Sequence, residues 1–233
     1  AVQGKTTRVT PTHVRDDALI PLPRPILDVH RLVTLCMDIF MVDGLYFLYA
    51  ISRNIRYSSI LALSDCRMHS TVWDAIRSLR HLYRLRGFRV KRVHADPQFR
   101  PIKGRLQGRG VHMHVCTANG HVPEAERGIR TTKEKSRCLH ADSPFARHPK
   151  LLKQHMILHS MVPMIALPHR DGISQTLSPQ TIVTGLRHNY AKQSATRIGA
   201  YCQFPVNPEP TNTMTLRTTG GIALGPDPEV DGH

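Results

Sequence analysis

LVTLCMDIFMVDGLYFLYAI, residues 32–51, decides how the rest of the chain is read. It is apolar enough to suggest a membrane span. Two carboxylates interrupt it, Asp38 and Asp43, and a central Asp costs roughly 2.5–3.5 kcal/mol in a bilayer. Asp43-Gly44 is also a hairpin turn signal between two β-rich runs. The stretch therefore reads as two adjacent strands, 32–41 and 45–52. A third strand is expected at 57–64. A helix capped by Ser70 runs to about Arg86, with Val72, Ile76, Leu79, Leu82, Tyr83 and Leu85 at roughly helical spacing.

Further along, FRVKRVHA (88–95) reads as a strand that delivers Asp96, closed by Pro97. A short strand follows at 111–117. Pro123 opens a helix, EAERGIRTTKEKSR, with acids in its first turn and bases in its last, as the helix dipole prefers. Another helix is expected from about Lys150 to Met161. After Leu177 the chain reads as loop-rich. A strand–helix–strand crossover makes the strands at 32–41 and 88–95 parallel neighbours in one sheet. The fold class is α/β, a sheet with helices on both faces.

Composition narrows the partners. The 233 residues carry 32 Lys+Arg against 17 Asp+Glu, a net charge of +15, and 40% are apolar. That apolar share is enough to build a core, and an anionic partner, nucleic acid first, is expected. No membrane partner and no small-molecule substrate are expected. The five cysteines are scattered, with no CxxC pair, which excludes a disulfide framework and a Cys-rich zinc module and fits a reducing compartment. The N-terminus has no apolar h-region, so no signal peptide is expected. The chain starts without Met and stops in a Pro/Gly-rich stretch, so it is expected to be a piece of a longer one.

Three acids stand out. Asp38 lies mid-strand among Leu35, Cys36, Met37, Ile39 and Phe40, where a carboxylate is costly unless paired, hydrogen-bonded or bound to a cation. Asp96 ends a second strand, at the edge where open α/β sheets place ligands. Glu126 sits in the first turn of the basic helix. Carboxylates from two strands and a helix can converge at one sheet edge, and hard oxygen donors suit Mg²⁺ or Mn²⁺. Two of them also have a plain reading: Asp96 as a turn residue, Glu126 as a dipole partner. Arg130 and Lys133, at i+4 and i+7 from Glu126, share its helix face, and Arg127, Lys135 and Arg137 add charge. Such a helix suits a phosphate backbone, or is simply a solvated basic face. His112 and His114 share a strand face and read as ordinary strand residues.

LCMDIFMVDGLYFLYAISRNIRY, VKRVHADPQF and ANGHVPEAERGIRTTKEKSR resemble the integrase catalytic core of copia-type retrotransposons, in the branch whose helix reads HVP-x-x-ER-x-IR-x-x-KE. DGISQTLSPQTIVTG (171–185) and MTLRTTGGIAL (214–224) resemble the segment that follows the core in the same polyproteins. The resemblance implies an RNase H-like mixed five-stranded sheet flanked by helices. With the polar, Pro-punctuated start of the chain, the expected division is a flexible arm or linker over 1–29, the RNase H-like integrase catalytic core over 30–165 and a loop-rich extension over 166–233. The resemblance also implies a DDE triad of Asp38, Asp96 and Glu126 holding two divalent ions (Mg²⁺ or Mn²⁺), with Arg127, Arg130, Lys133 and Arg137 on DNA. Asp38 and Asp96 would hold one ion, Asp38 and Glu126 the other.

The activity it implies is DNA 3′-end processing and strand transfer, that is, DNA integration. The implied partners are element ends, target DNA and further copies of the chain. The implied location is the nucleus, or a cytoplasmic particle before nuclear entry. Two other readings remain open: a catalytically inactive basic DNA-binding remnant of an integrase, and a ribosomal or RNA-packaging basic protein that needs no acids. The low aromatic content, 6%, offers few stacking platforms for single strands.

Overall fold

The structure, a computed structural model, describes residues 19–65, 69–117, 122–190, 196–205, 214 and 216–225. The opening stretch folds back on itself. β1 (Leu32–Val42) and β2 (Leu45–Ser52) pair antiparallel, with Val42 opposite Leu45. Asp43 and Gly44 both take positive φ, 50° and 75°, as a type I′ turn requires. The stretch is two strands, and no helix among the described residues is long and apolar enough to cross a bilayer.

β3 (Ser58–Leu63) adds antiparallel to β2. After α2 (His69–Leu85), the chain returns as β4 (Arg89–Ala95), parallel to β1, and β5 (His112–Val115) adds parallel to β4. The sheet order is β3-β2-β1-β4-β5. This is the mixed five-stranded, helix-flanked sheet of the RNase H-like class.

Alternation along β1 assigns its two faces. Val33, Leu35 and Met37 enter the larger core with Ile76 and Leu79 of α2. Cys36 and Phe40 enter a second core with Phe47, Tyr49 and Ile60, beneath Ala125 and Ile129 of α4 (Pro123–Ala141). Asp38 lies between Cys36 and Phe40 in that alternation, so it belongs to the α4 face. α5 (Lys150–His159) packs beside α4 and sends Ile157 into the same core.

The structure also has helices where the sequence reads as arm or loop. α1 (Arg24–His30) lies within the expected arm but for its last residue, and Leu22 and Leu27 pack against the larger core. A 3-10 helix (Pro97–Ile102) and α3 (Lys103–Gln107) follow Asp96 and bury Phe99, Ile102 and Leu106. After α6 (Val162–Ile165), α7 (Pro179–Thr184) carries a full set of end signals. Ser178 Oγ accepts from the Thr181 amide, Pro179 opens the helix, and Gly185 closes it at φ 83°. Ile182 and Val183 join the larger core. β6 (Tyr201–Pro205) and β7 (Thr218–Ile222) form a separate two-stranded ribbon. Cys36, Cys116, Cys138 and Cys202 are free thiols, and Cys66 lies outside the described residues.

Candidate active site

β1 and β4 run parallel with Met37 opposite Ala95. One residue further along come Asp38, still in β1, and Asp96, just past the end of β4. The parallel crossover therefore sets these two acids side by side at the carboxyl end of β4. α4 then crosses the same face and brings Glu126 in its first turn. The other two acids both bear on Asp38, which is pushed up from its ordinary 3.8 to about 6, first by burial, then by the negative charge of Asp96, with Glu126 adding to it. Lys133 acts in the opposite sense on Asp38.

Two donors hold Asp38 in place, and both address Oδ1. The Ile39 amide donates at 2.7 Å and Gln98 Nε2 at 3.2 Å. Gln98, from the 3-10 helix after β4, escapes the sequence reading. Nothing in its surroundings along the chain marks it, because its role exists only once β1 and β4 are neighbours.

The first turn of α4 is tied to the sheet by an ion pair. Arg53, just past β2, reaches Glu124 Oε1 through Nε at 2.8 Å and through Nη2 at 2.6 Å. The Arg53 amide donates to Thr34 O at 3.0 Å, and its guanidinium also reaches Cys36 Sγ at 3.9 Å. Burial and the Glu124 charge push the Cys36 thiol up to about 11. His94 lies across this group, its ring 5.4 Å from that of His114. Burial, then the positive charges of Arg53 and His114, hold His94 below its ordinary range. The histidine that His114 meets is thus the one on the neighbouring strand.

Arg127, Arg130 and Arg137 are exposed on α4, and Lys133 is half-buried, its ammonium 5.8 Å from the centre of the Phe40 ring. Lys133 and Arg137 also line a cavity of about 410 Å³ with His140 and Lys153, floored by Met156 and Ile157. Lys153 bridges Asp43 at 2.5 Å. That contact joins the β1–β2 turn to α5.

The donor set is three carboxylates, the hard oxygen donors that suit a divalent ion, and the charges of Asp96 and Glu126 both bear on Asp38. They are not, however, drawn together into a coordination shell. Among the described residues no group of three or more His, Cys, Asp or Glu side chains is arranged to hold a metal ion.

No family model matches the sequence, and no curated protein matches it. Among solved structures the chain is similar to the catalytic core domain of BIV integrase. Identity is 17% and the TM-score 0.45, over 66% of this chain and 93% of that one. The RNase H-like class is read from the strand order and register of the sheet itself.

Proposed function

We propose that the chain is an integrase-like polynucleotidyl transferase of copia type, acting on DNA ends and joining them to target DNA. The observation that carries this reading is the electrostatic convergence of Asp38, Asp96 and Glu126 from two parallel strands and a crossing helix. The sequence motifs around the same three acids point the same way.

In this reading Asp38, Asp96 and Glu126 hold Mg²⁺ or Mn²⁺. The ions, when bound, supply Lewis-acid activation of water or a DNA 3′-OH and neutralise charge at the phosphodiester. The protein's own groups do the positioning. Gln98 and the Ile39 amide orient Asp38, and the Arg53–Glu124 pair holds the first turn of α4. Arg127, Arg130, Lys133 and Arg137 take the DNA backbone by charge-assisted hydrogen bonds. Joining two DNA ends implies several copies of the chain, working on nuclear DNA.

A second reading, a DNA-binding remnant without turnover, draws on the absence of a preformed carboxylate shell among the described residues. Mn²⁺-dependent joining of a labelled duplex end to plasmid DNA separates the two, with Glu126→Gln as control. Joining by the wild type that is lost in Glu126→Gln supports the enzyme. Salt-sensitive DNA binding by both proteins with joining by neither supports the remnant.

A further inference from the structure

The opposite side of the sheet carries a cluster of cations that the acid site does not use. On α2, Trp73, Arg77, Arg80 and Arg84 follow one another at steps of four, three and four residues. They form one stripe about 16 Å long. Trp73 begins it. The guanidinium carbons of Arg105 and Arg109, from α3 and the turn after it, lie 6.0 Å and 4.8 Å from the centre of its ring. Such stacking holds an arginine plane in place while leaving its N–H edge available.

The charges in this cluster are poorly balanced. Asp74 meets Arg77 at 3.3 Å. Arg80 has Arg109 and Arg84 as its charged neighbours; burial and these two cations hold its pKa below the ordinary value. Like charges held this close, on a helix and a neighbouring turn rather than on free termini, leave an electrostatic demand that an anion satisfies.

We propose that this α2–α3 face is a second nucleic-acid interface, which takes the phosphate backbone of duplex DNA. The spacing suits that ligand. A stripe of about 16 Å is long enough to reach more than one phosphate of a duplex, whose charges recur about every 1.7 Å of helix axis, and guanidinium groups match phosphate in bidentate fashion. An acidic protein partner fits less well. Protein interfaces are anchored by large apolar side chains seated in pockets, and the aromatic side chain here, Trp73, is 8% exposed and covered by arginines. α2 packs on the larger core and α4 on the other. The two interfaces thus lie on opposite faces of the sheet, and one chain can touch two DNA segments. The inference goes beyond the proposed activity and does not depend on the three acids.

Trp73 is the single tryptophan of the chain, so its emission reports on this face alone. Titrating the full chain with a short duplex is expected to change Trp73 emission. It is expected to do so equally in Arg127→Gln/Arg130→Gln, which alters only the α4 face. Arg80→Gln/Arg84→Gln/Arg109→Gln is expected to lose the response. Its slope of log affinity against log salt should fall by about 2–3, at about 0.9 for each phosphate that the variant no longer neutralises. The charge-preserving Arg80→Lys/Arg84→Lys/Arg109→Lys should keep the slope, which separates loss of charge from loss of fold. An unchanged slope in the glutamine variant, or a wild-type emission that ignores DNA, overturns the proposal. So does a response to polyglutamate at matched charge and salt with none to DNA, which assigns the face to an acidic protein. Because the readout does not involve DNA joining, the proposal fails or survives separately from the integrase reading.

Discussion

The ring of Tyr49 lies directly under Gly128, so close that a Cβ at Gly128 would overlap Oη and Cζ and come within 2.6 Å of Cε1. Tyr49 cannot withdraw easily. It is fully buried, and its hydroxyl shares a hydrogen bond of 2.9 Å with Ser58 Oγ. The closest approach of α4 to β2 is therefore set by a missing side chain two residues after Glu126.

Two effects oppose each other in Gly128→Ala. Helix propensity favours alanine by about 1 kcal/mol. Overpacking against a buried ring costs about 1–3 kcal/mol. The clash wins, because the obstructing atoms belong to a rigid ring. Urea unfolding is expected to show net destabilisation of up to about 2 kcal/mol, the difference of those two effects. A stabilised variant would mean that α4 does not press on Tyr49.

Asp38 gives the pH dependence. Unfolded, its carboxyl titrates near 3.8; folded, near 6, because burial and then Asp96 penalise the charge. A raised folded pKa means that the folded state holds the proton more tightly. The penalty is absent below about pH 4, grows as pH rises through about 6, and is complete at neutrality. At 1.36 kcal/mol per pH unit its ceiling is about 3 kcal/mol, and partial exposure reduces it to about 1–2 kcal/mol. In metal-free buffer, Asp38→Asn should therefore be more stable than the wild type at pH 7 by that amount, with the advantage gone near pH 4. Denaturant unfolding across the range tests it; equal stability at pH 7 contradicts the crowding of the acids.

Arg53 and Glu124 form a pair that is 46% and 24% exposed. At such exposure the pair is worth less than about 1 kcal/mol to folding. Its expected effect is on position. Arg53→Ala should change the melting temperature little and slow DNA joining about tenfold, since about 1.36 kcal/mol of lost positioning suffices for that. Joining at the wild-type rate would show that the first turn of α4 is held by its apolar contacts alone.

Gly44 has nothing within 4 Å of a would-be Cβ, yet its φ is 75°. Space is available there, but the backbone conformation is costly for other residues. Gly44→Ala is expected to cost about 1–2 kcal/mol, the penalty of left-handed backbone for an L-residue. Thermal unfolding of the variant measures it, and an unchanged midpoint would argue against a type I′ turn.

The strands, the Asp43-Gly44 hairpin, α2, α4 and α5 are legible in the sequence because each is a local pattern. Alternation, helical spacing, Pro and Gly punctuation and charge at helix ends all act within a few residues. The end signals of α7 (Ser178, Pro179 and Gly185) are equally local, although the loop-rich surroundings hide them. α1 and the helices after Asp96 are short, and what holds them is burial of Leu27, Phe99, Ile102 and Leu106 in a core built by distant residues. The sequence by itself singles out the acids of the proposed site, Asp38 first, since a carboxylate in the middle of LCMDIF needs a reason. Their placement is decided by tertiary structure alone: Asp96 comes beside Asp38 because β1 and β4 pair in parallel, and Gly128 lets α4, with Glu126 in its first turn, down onto Tyr49. The same holds for Gln98 on Asp38, Arg53 on Glu124 and Arg109 over Trp73, pairs of residues up to 71 positions apart. No local pattern encodes them, because the energy that fixes them is the burial of two cores on opposite faces of one sheet.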